Sequence, residues 1–336
     1  MIPTTMRETA LRAACAGLRM YFQHAPFAFG KQRLWDQVVQ RYIAWRRLEI
    51  EARTRFGARF AGSFPDAVHS YAYFFGVWEP AVTAFYHQAL RPGDVVVDIG
   101  ANVGMHALLA AHLVGPDGQV HAIEASSWIH ERLRQNLRTN GIYNVATYNM
   151  AVTEVPGMVP VFVHDDTNLG GTTIVAAEAS KTQRQELVEG RSLGDILPVE
   201  VLRAARLIKI DVEGAEIMVV KGMRGLLPLL RQDVEILVEV KTAALAALGS
   251  SLQEFLNIFA EAGFKPFEIA NAYDGAFYID RKHQAAPAPL QRYDFEMADL
   301  LFRRVAGHCP DRKIPTISSP EGRVGGRRLS FSASSA

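Results

Sequence analysis

The sequence predicts an α/β protein built on a doubly wound, mostly parallel, Rossmann-like sheet with a helical N-terminal extension. Three observations lead there. From residue 94 onward, short apolar runs alternate with helical stretches, the pattern of strand–helix–strand units. The first run, DVVVDIG (94–100), ends in a glycine turn that opens a helix. Of the 336 residues, 49% are hydrophobic, enough for a sizeable core at a length of one large domain with additions, or two.

The elements follow in order. Residues 1–78 read as a basic, aromatic, helical extension. In LWDQVVQRYIAWRRLEIEARTRF (34–56), Leu34, Val38, Tyr42, Trp45 and Ile50 recur at helical spacings and predict one amphipathic helix. Its apolar stripe either packs on the main domain or docks on a membrane surface or a protein partner. The main domain, a run of strands and helices, then occupies 79–286. Strand 94–100 leads to helix 103–114, strand 118–124 to helix 127–141, which stops at Asn140–Gly141. A strand at 145–152 and an arm of a hairpin at 158–164 come next. Strand 206–212, helix 214–225, strand 234–240, helix 251–262 and strands at FKPFEI and AFYID complete the series. Residues 287–336 read as a C-terminal extension, amphipathic to Val305, whose last ~25 Ser/Gly/Arg-rich residues read as disordered.

The formal charge of +1 is an average. Residues 1–60 hold eleven Lys/Arg against four Asp/Glu, and residues 281–336 ten against five, so the middle, 61–280, carries −11. An acidic core repels phosphates, and no nucleic-acid partner is expected. Cys15 and Cys309 match no zinc or redox spacing, and Arg12 and Arg19 interrupt any signal-peptide core, so a cytoplasmic location is expected. No segment reads as a transmembrane helix.

In an open parallel sheet, ligands bind beyond the carboxyl ends of the strands. There the chain reads Asp98-Ile99-Gly100-Ala101-Asn102-Val103-Gly104. The glycines admit a ligand close to the backbone, and the following helix N-terminus suits a carboxylate. Asp98 can accept hydrogen bonds from a cationic amine, and Glu124, ending the second strand, can hold both ribose hydroxyls. A nicotinamide site needs G-x-G-x-x-G, but Asn102 replaces the middle glycine. A ligand with an amino-acid end and a nucleoside end fits better, and S-adenosyl-L-methionine is such a molecule.

With GDVVVDIGANVGMHALLAA (93–111), VHAIEAS (120–126), NMAVTE (149–154), NLGGTTI (168–174) and LIKIDVEGAEIMVVKGM (207–223), the sequence resembles the FkbM family of S-adenosylmethionine-dependent methyltransferases over residues 79–270. The resemblance implies the class I methyltransferase fold. It also implies that Asp98, Gly100, Asn102 and Gly104 line the methionine part of the cofactor, Glu124 its ribose, and Asn149 to Ala151 the adenine edge. Two departures stand out: Ala125 replaces the usual proline, and EVKTAAL replaces a Glu-x-His after the fifth strand, which weakens any assignment of substrate contacts near Glu239.

Methyl transfer from a sulfonium is an in-line displacement that needs alignment and, for a hydroxyl acceptor, a base. The candidates follow the fourth strand: Asp211, Glu213 and Glu216. Glu216 is equally accounted for by helix-start electrostatics or a link to Lys209. Asp165, Asp166, Asp211, Glu213 and Glu239 offer oxygen ligands without metal-loop spacing, so no metal is expected. His106 and His164 read as solvated or capping residues, with a base role as the alternative. Glu79 enters the same cleft by resemblance. The resulting expectation is O-methylation of a sugar, glycan or natural-product hydroxyl. N-methylation of a small amine and a non-catalytic cofactor-binding scaffold are the alternatives.

Overall fold

A computed structural model of the chain describes residues 4–164, 172–175, 182–280 and 286–304. The central sheet has eight strands in the order β12-β11-β13-β10-β9-β3-β4-β5. These are β3 (Val95–Ile99), β4 (Gln119–Ile123), β5 (Val145–Tyr148), β9 (Ala205–Ile210), β10 (Glu235–Lys241), β11 (Phe264–Ile269), β12 (Ala288–Pro289) and β13 (Met297–Arg304). β5, β4, β3, β9 and β10 run parallel. β13 is antiparallel to both of its neighbours, β10 and β11. The expected doubly wound sheet is present, and its order reverses between β3 and β9. Apolar runs such as Ile236–Val238 are strands because helices cover both faces, which leaves them buried on each side.

Helices α5 (Met105–Val114), α6 (Ser127–Thr139), α9 (Glu216–Met223) and α11 (Leu252–Glu261) form in the stretches expected to be helical. α6 and α11 start on serines whose hydroxyls cap them: Ile129 N–H bonds Ser126 and Glu254 N–H bonds Ser251. A smaller sheet of β6 (Ala151–Val152), β7 (Gly157–His164) and β8 (Thr182–Arg191) stands beside the strand ends in the order β6-β8-β7. β7 is an arm of a hairpin, and β8, unread in the sequence, is its partner.

The N-terminal extension departs from the expected all-helical form. After α1 (Thr4–His24) and the short α2 (Lys31–Leu34), a π-helical segment runs from Trp35 to Ile43. Its buried residues are Trp35, Val39 and Ile43, four apart, which the wider π turn brings to one side. The apolar stripe expected at Leu34, Val38, Tyr42 and Trp45 is therefore displaced by one residue, and Tyr42 and Trp45 lie exposed. The second half of the expected helix is a strand, β1 (Leu48–Arg53), paired antiparallel with β2 (Arg59–Phe64). LEIEAR alternates buried and exposed side chains, and that period of two determined the outcome.

α3 (Ala67–Phe75) and α4 (Pro80–Ala89) join the extension to β3. Phe22, Trp35, Phe64, Tyr71, Phe74 and Phe75 pack as a ring cluster, with Trp35 to Phe75 centroids 4.8 Å apart, in one continuous core with the main sheet. This cluster also recasts AFYID. Instead of a strand it forms α12 (Gly275–Ile279), capped by Asp274, which accepts from Phe277 N–H. Gly275 sits where any Cβ would fall 2.1 Å from the Trp35 ring. Short helices α7 (Leu193–Ile196), α8 (Val199–Ala204) and α10 (Thr242–Ala247) complete the described elements.

The boundary expected at 286/287 cuts the sheet. In place of the expected amphipathic tail, residues 297–304 form β13, which fills the space between β10 and β11 with Leu300, Leu301 and Phe302 fully buried. Phe302 stacks on Phe259 with centroids 3.7 Å apart. Phe302→Ala should cost about 3–5 kcal/mol in chemical denaturation, the usual loss for a buried ring. An exposed appendage would cost nothing measurable.

Candidate active site

The site forms where β3 and β9 part. Gly100 has φ 81°, and a Cβ there would fall 1.7 Å from the Asp211 carbonyl oxygen, so only glycine lets the two strand ends meet. The cleft above them is lined by Ile99, Gly100, Asn102, Ile123, Glu124, Ala125, Ile129, Met150, Ala151, Val152, Val161, Thr172–Ile174, Asp211, Val212, Glu213 and Ala215. Of the sequence candidates, Gly100, Asn102, Glu124, Ala151, Asp211 and Glu213 meet there.

Glu124 ends β4 almost fully buried. Its carboxylate accepts the N–H groups of Asn102 at 2.9 Å and Ser126 at 2.9 Å. Burial outweighs these bonds and pushes it up to about 7. Asn102 has φ 49° and accepts the Val103 N–H through its own Oδ1 at 2.6 Å, a local bond that suits asparagine to this conformation.

Asp98 lies just behind the lining residue Ile99, 1% exposed, and neither carboxylate oxygen has a hydrogen-bond partner. Burial raises it to about 6, against the pull of Lys209. Lys209, directly opposite in register, gives its hydrogen bond to Asp211 instead, at 2.8 Å. An orphaned buried carboxylate is costly, and it fits a ligand that brings a cationic donor.

Three candidates play other parts. Gly104 (φ 93°) does not line the cleft; a Cβ there would meet Leu133 Cδ1 at 2.5 Å, so the glycine serves the α5–α6 contact. Asn149 is also outside the lining. Its side-chain amide donates to the carbonyls of Glu124 and Ala125, tying β5 to the end of β4, while the next residues, Met150 to Val152, form the wall. Glu216 is fully buried and holds the turn before α9: Oε1 accepts from Val212 N–H (3.2 Å) and Gly214 N–H (2.9 Å). It is a positioning residue rather than a group facing the cleft.

Glu213 faces the cleft with φ 52°. Burial, then Asp211 and Glu239, push its carboxyl upward against the pull of Lys241, with which it forms a close ion pair. Lys241 also lies 3.2 Å from Glu239. Asp211, by contrast, is held below the usual carboxylate range by Lys209. The carboxylate oxygens of Asp211, Glu213 and Glu239 lie within 4.8 Å of one another, spacing that suits a metal, but each already has a lysine beside it: Lys209 pairs with Asp211, and Lys241 with Glu213 and Glu239. Above it, Thr173 bridges to Phe162 of β7 through the backbone and donates its hydroxyl to the Glu213 carbonyl at 2.6 Å. Asp165, Asp166 and residues 168–171 of NLGGTTI lie outside the described residues, as does the side chain of His164.

Sequence reasoning missed Tyr273. Its hydroxyl lies 2.6 Å from Glu79 Oε1 and 2.8 Å from Glu239 Oε1. One hydroxyl has one proton to give, so two such short contacts require a proton on one of the carboxyls. Glu79 is the better holder: burial raises it strongly, whereas Glu239 has Lys241 beside it. Glu79 thus belongs to this buried network, with its own φ at 45°. His106, 3.3 Å from Glu79, is neither solvated nor a cap. It is buried, and burial lowers it to about 3, so it stays neutral.

Burial pushes the Glu216 carboxyl up to about 7, so the folded chain keeps a proton that the unfolded chain releases near pH 4.3. Its contribution to stability therefore declines as pH rises from about 4.3 to 7 and is fully lost above. Glu216→Gln keeps the accepting oxygen without the charge. It should leave thermal stability at pH 4 nearly unchanged and raise it at pH 8 by about 1–3 kcal/mol relative to the parent chain, as measured by thermal denaturation at both pH values.

Comparison with known proteins places this geometry. The family model described as the methyltransferase FkbM domain matches residues 98–266, half of the chain. A protein-L-isoaspartate O-methyltransferase from Ignicoccus hospitalis is 31% identical over 124 residues, covering 36% of this chain and 54% of that protein. The 31-O-demethyl-FK506 methyltransferase FkbM of Streptomyces tacrolimicus is 29% identical over 160 residues, covering 40% of this chain and 61% of the relative. The chain thus spans a little over half the length of these curated relatives. Among solved structures, Aeropyrum pernix fibrillarin with S-adenosyl-L-methionine bound matches at a TM-score of 0.38 and 12% identity, over 76% of this chain and 82% of that one. On the family match, which begins at Asp98 and runs through the Asp211–Glu216 turn, the chain belongs to the FkbM methyltransferase family.

Proposed function

We propose that this protein is an S-adenosyl-L-methionine-dependent methyltransferase that methylates a hydroxyl group of a small molecule or glycan. The observation that carries the cofactor reading is Asp98: a buried carboxylate with both oxygens unpartnered, beside a glycine turn and a second buried acid at the next strand end. Those residues suit the cofactor's two ends. Asp98 takes the amino group, the Gly100–Asn102 backbone lies along the methionine chain, and Glu124 takes ribose hydroxyls. Ile123, Ala125, Met150 and Val152 give the nucleoside an apolar wall.

Bound there, the cofactor supplies an electrophilic methyl group on a sulfonium, whose loss leaves a neutral thioether. The remaining work belongs to the chain's own side chains. Of the cleft-lining carboxylates, Glu124 is bonded to backbone N–H groups and Asp211 to Lys209, which leaves Glu213, oriented by Lys241, as the base. Glu213 Oε2 receives the acceptor's hydroxyl proton, with Lys241 turning toward Glu239 as that charge is lost. Burial raises the Glu213 carboxyl to about 8, so the base is its ionised form, the one that pairs with Lys241. The Thr172–Ile174 segment covers the cleft and helps keep water out. Oxygen as the nucleophile is supported by the two relatives, whose names state O-methyl transfer or an O-demethyl substrate.

Asp98→Asn should weaken binding of S-adenosylhomocysteine in calorimetry by about 10–100-fold, the loss of a charged hydrogen bond. Unchanged affinity would overturn the cofactor placement. Against a panel of hydroxyl and amine acceptors, methyl transfer should appear on hydroxyls. Glu213→Gln should cut that turnover by about 10²–10⁴ without changing cofactor affinity. Transfer to amines alone would overturn the O-methylation reading.

A further inference from the structure

The turn joining α1 to α2, Ala25 to Gly30, reads Ala-Pro-Phe-Ala-Phe-Gly. Phe27 is 56% exposed and Phe29 86%, and Met20, near the end of α1, is 57% exposed. Loose ends often show apolar side chains, but this turn is tied down. Lys31 is buried, and its Nζ donates to the carbonyls of Phe22 at 3.0 Å and Ala25 at 2.8 Å. Tyr21 donates its hydroxyl to the carbonyl of Phe29, and Lys31 N–H bonds the Ala28 carbonyl at 3.1 Å. Phe22 and Trp35 anchor either side in the ring cluster. A buried lysine and a tyrosine thus hold in place a turn whose two phenylalanines face water, and neither phenylalanine contributes to the core.

Charge indicates what covers them. From Thr9 to Trp35 there is no acidic residue; with Lys31 buried and Arg12 paired to Glu8, Arg19 and Arg33 are the cations of that stretch that serve the surface. The π-helical segment that follows leads into Arg41, Tyr42, Trp45, Arg46 and Arg47, all exposed. Apolar tips set where cations outnumber anions, with Asp36 the nearest acid in sequence, match an anionic lipid interface: rings enter the headgroup–acyl boundary while guanidinium groups stay with the phosphates. We propose that the Ala25–Gly30 turn is a membrane-docking prong, seating this protein on an anionic lipid surface through Phe27 and Phe29 with Arg19 and Arg33 beside them. No helix among the described residues is long and apolar enough to cross a membrane, so this contact is peripheral.

The test uses the full chain and a Phe27→Ser/Phe29→Ser double variant, co-sedimented with vesicles of equimolar phosphatidylglycerol and phosphatidylcholine or of phosphatidylcholine alone. The full chain should bind the anionic vesicles at least about tenfold tighter than the neutral ones, and less tightly as salt rises. The double variant should lose at least about tenfold of that binding while its melting temperature is unchanged, since both rings lie outside the core. Failure to bind anionic vesicles, or equal binding by the variant, would overturn the proposal. So would self-association in sedimentation velocity that the double substitution abolishes, since the turn would then be an interface between copies.

Discussion

The Asp211 carbonyl oxygen occupies the space that a side chain at position 100 would need. That single close approach holds the end of β3 against the end of β9. The backbone then laces the third strand to them: Asp211 N–H bonds the Ile99 carbonyl, and the N–H groups of Gly100 and Ala101 both bond the Ile123 carbonyl. With the strand ends fixed, the turn 98–104 and the turn 211–216 face one cleft from opposite walls. The only described non-glycine residues with positive φ are Glu79, Asn102 and Glu213, and all three lie in or beside this site. Each such conformation costs about 1–3 kcal/mol, which the surrounding sheet must offset.

Charge follows the same geometry. Glu79, Asp98, Asp211, Glu213, Glu239 and Asp299 are brought close together, with Lys209 and Lys241 as their nearby cations. Glu239 and Asp299 even sit opposite each other across β10 and β13. Six carboxyls cannot all be ionised beside two ammonium groups at low dielectric, so protons are retained among them, and the short Tyr273 contacts independently require one. The acidic middle of the chain is therefore less negative in the folded state than its formal −11.

Much of this could be read from the residues. The strand–helix alternation from 94 to 262 gave the sheet, and the glycine turn with Glu124 and the Asp211–Glu213 block gave the centre of the site. What escaped was what depends on partners distant in the chain. Glu239, whose role the sequence left in doubt, and Tyr273 meet only because β10 and the loop after β11 converge. Glu216 and Gly104 look like site residues in sequence, but their roles are set by Val212, Gly214 and Leu133. β13 lacked the alternation of a one-faced strand because it is covered on both sides. In LEIEAR the alternation was present, but a longer helical reading of 34–56 overrode it.

Strand order also has a consequence for synthesis. β11 has only β12 and β13 as neighbours, and β13 is the last described strand of the sheet. On a ribosome, the parallel strands from β3 to β10 can pair as they emerge, but β11, apart from its short pairing with β12, cannot join the main sheet until the chain has been made past residue 304. The interval leaves the β10 edge open, a template for mispairing with other chains. The sheet is thus closed by the last-made of its described strands, so a chain stalled or cut shortly before that point is left with an unsealed sheet rather than a trimmed but intact protein.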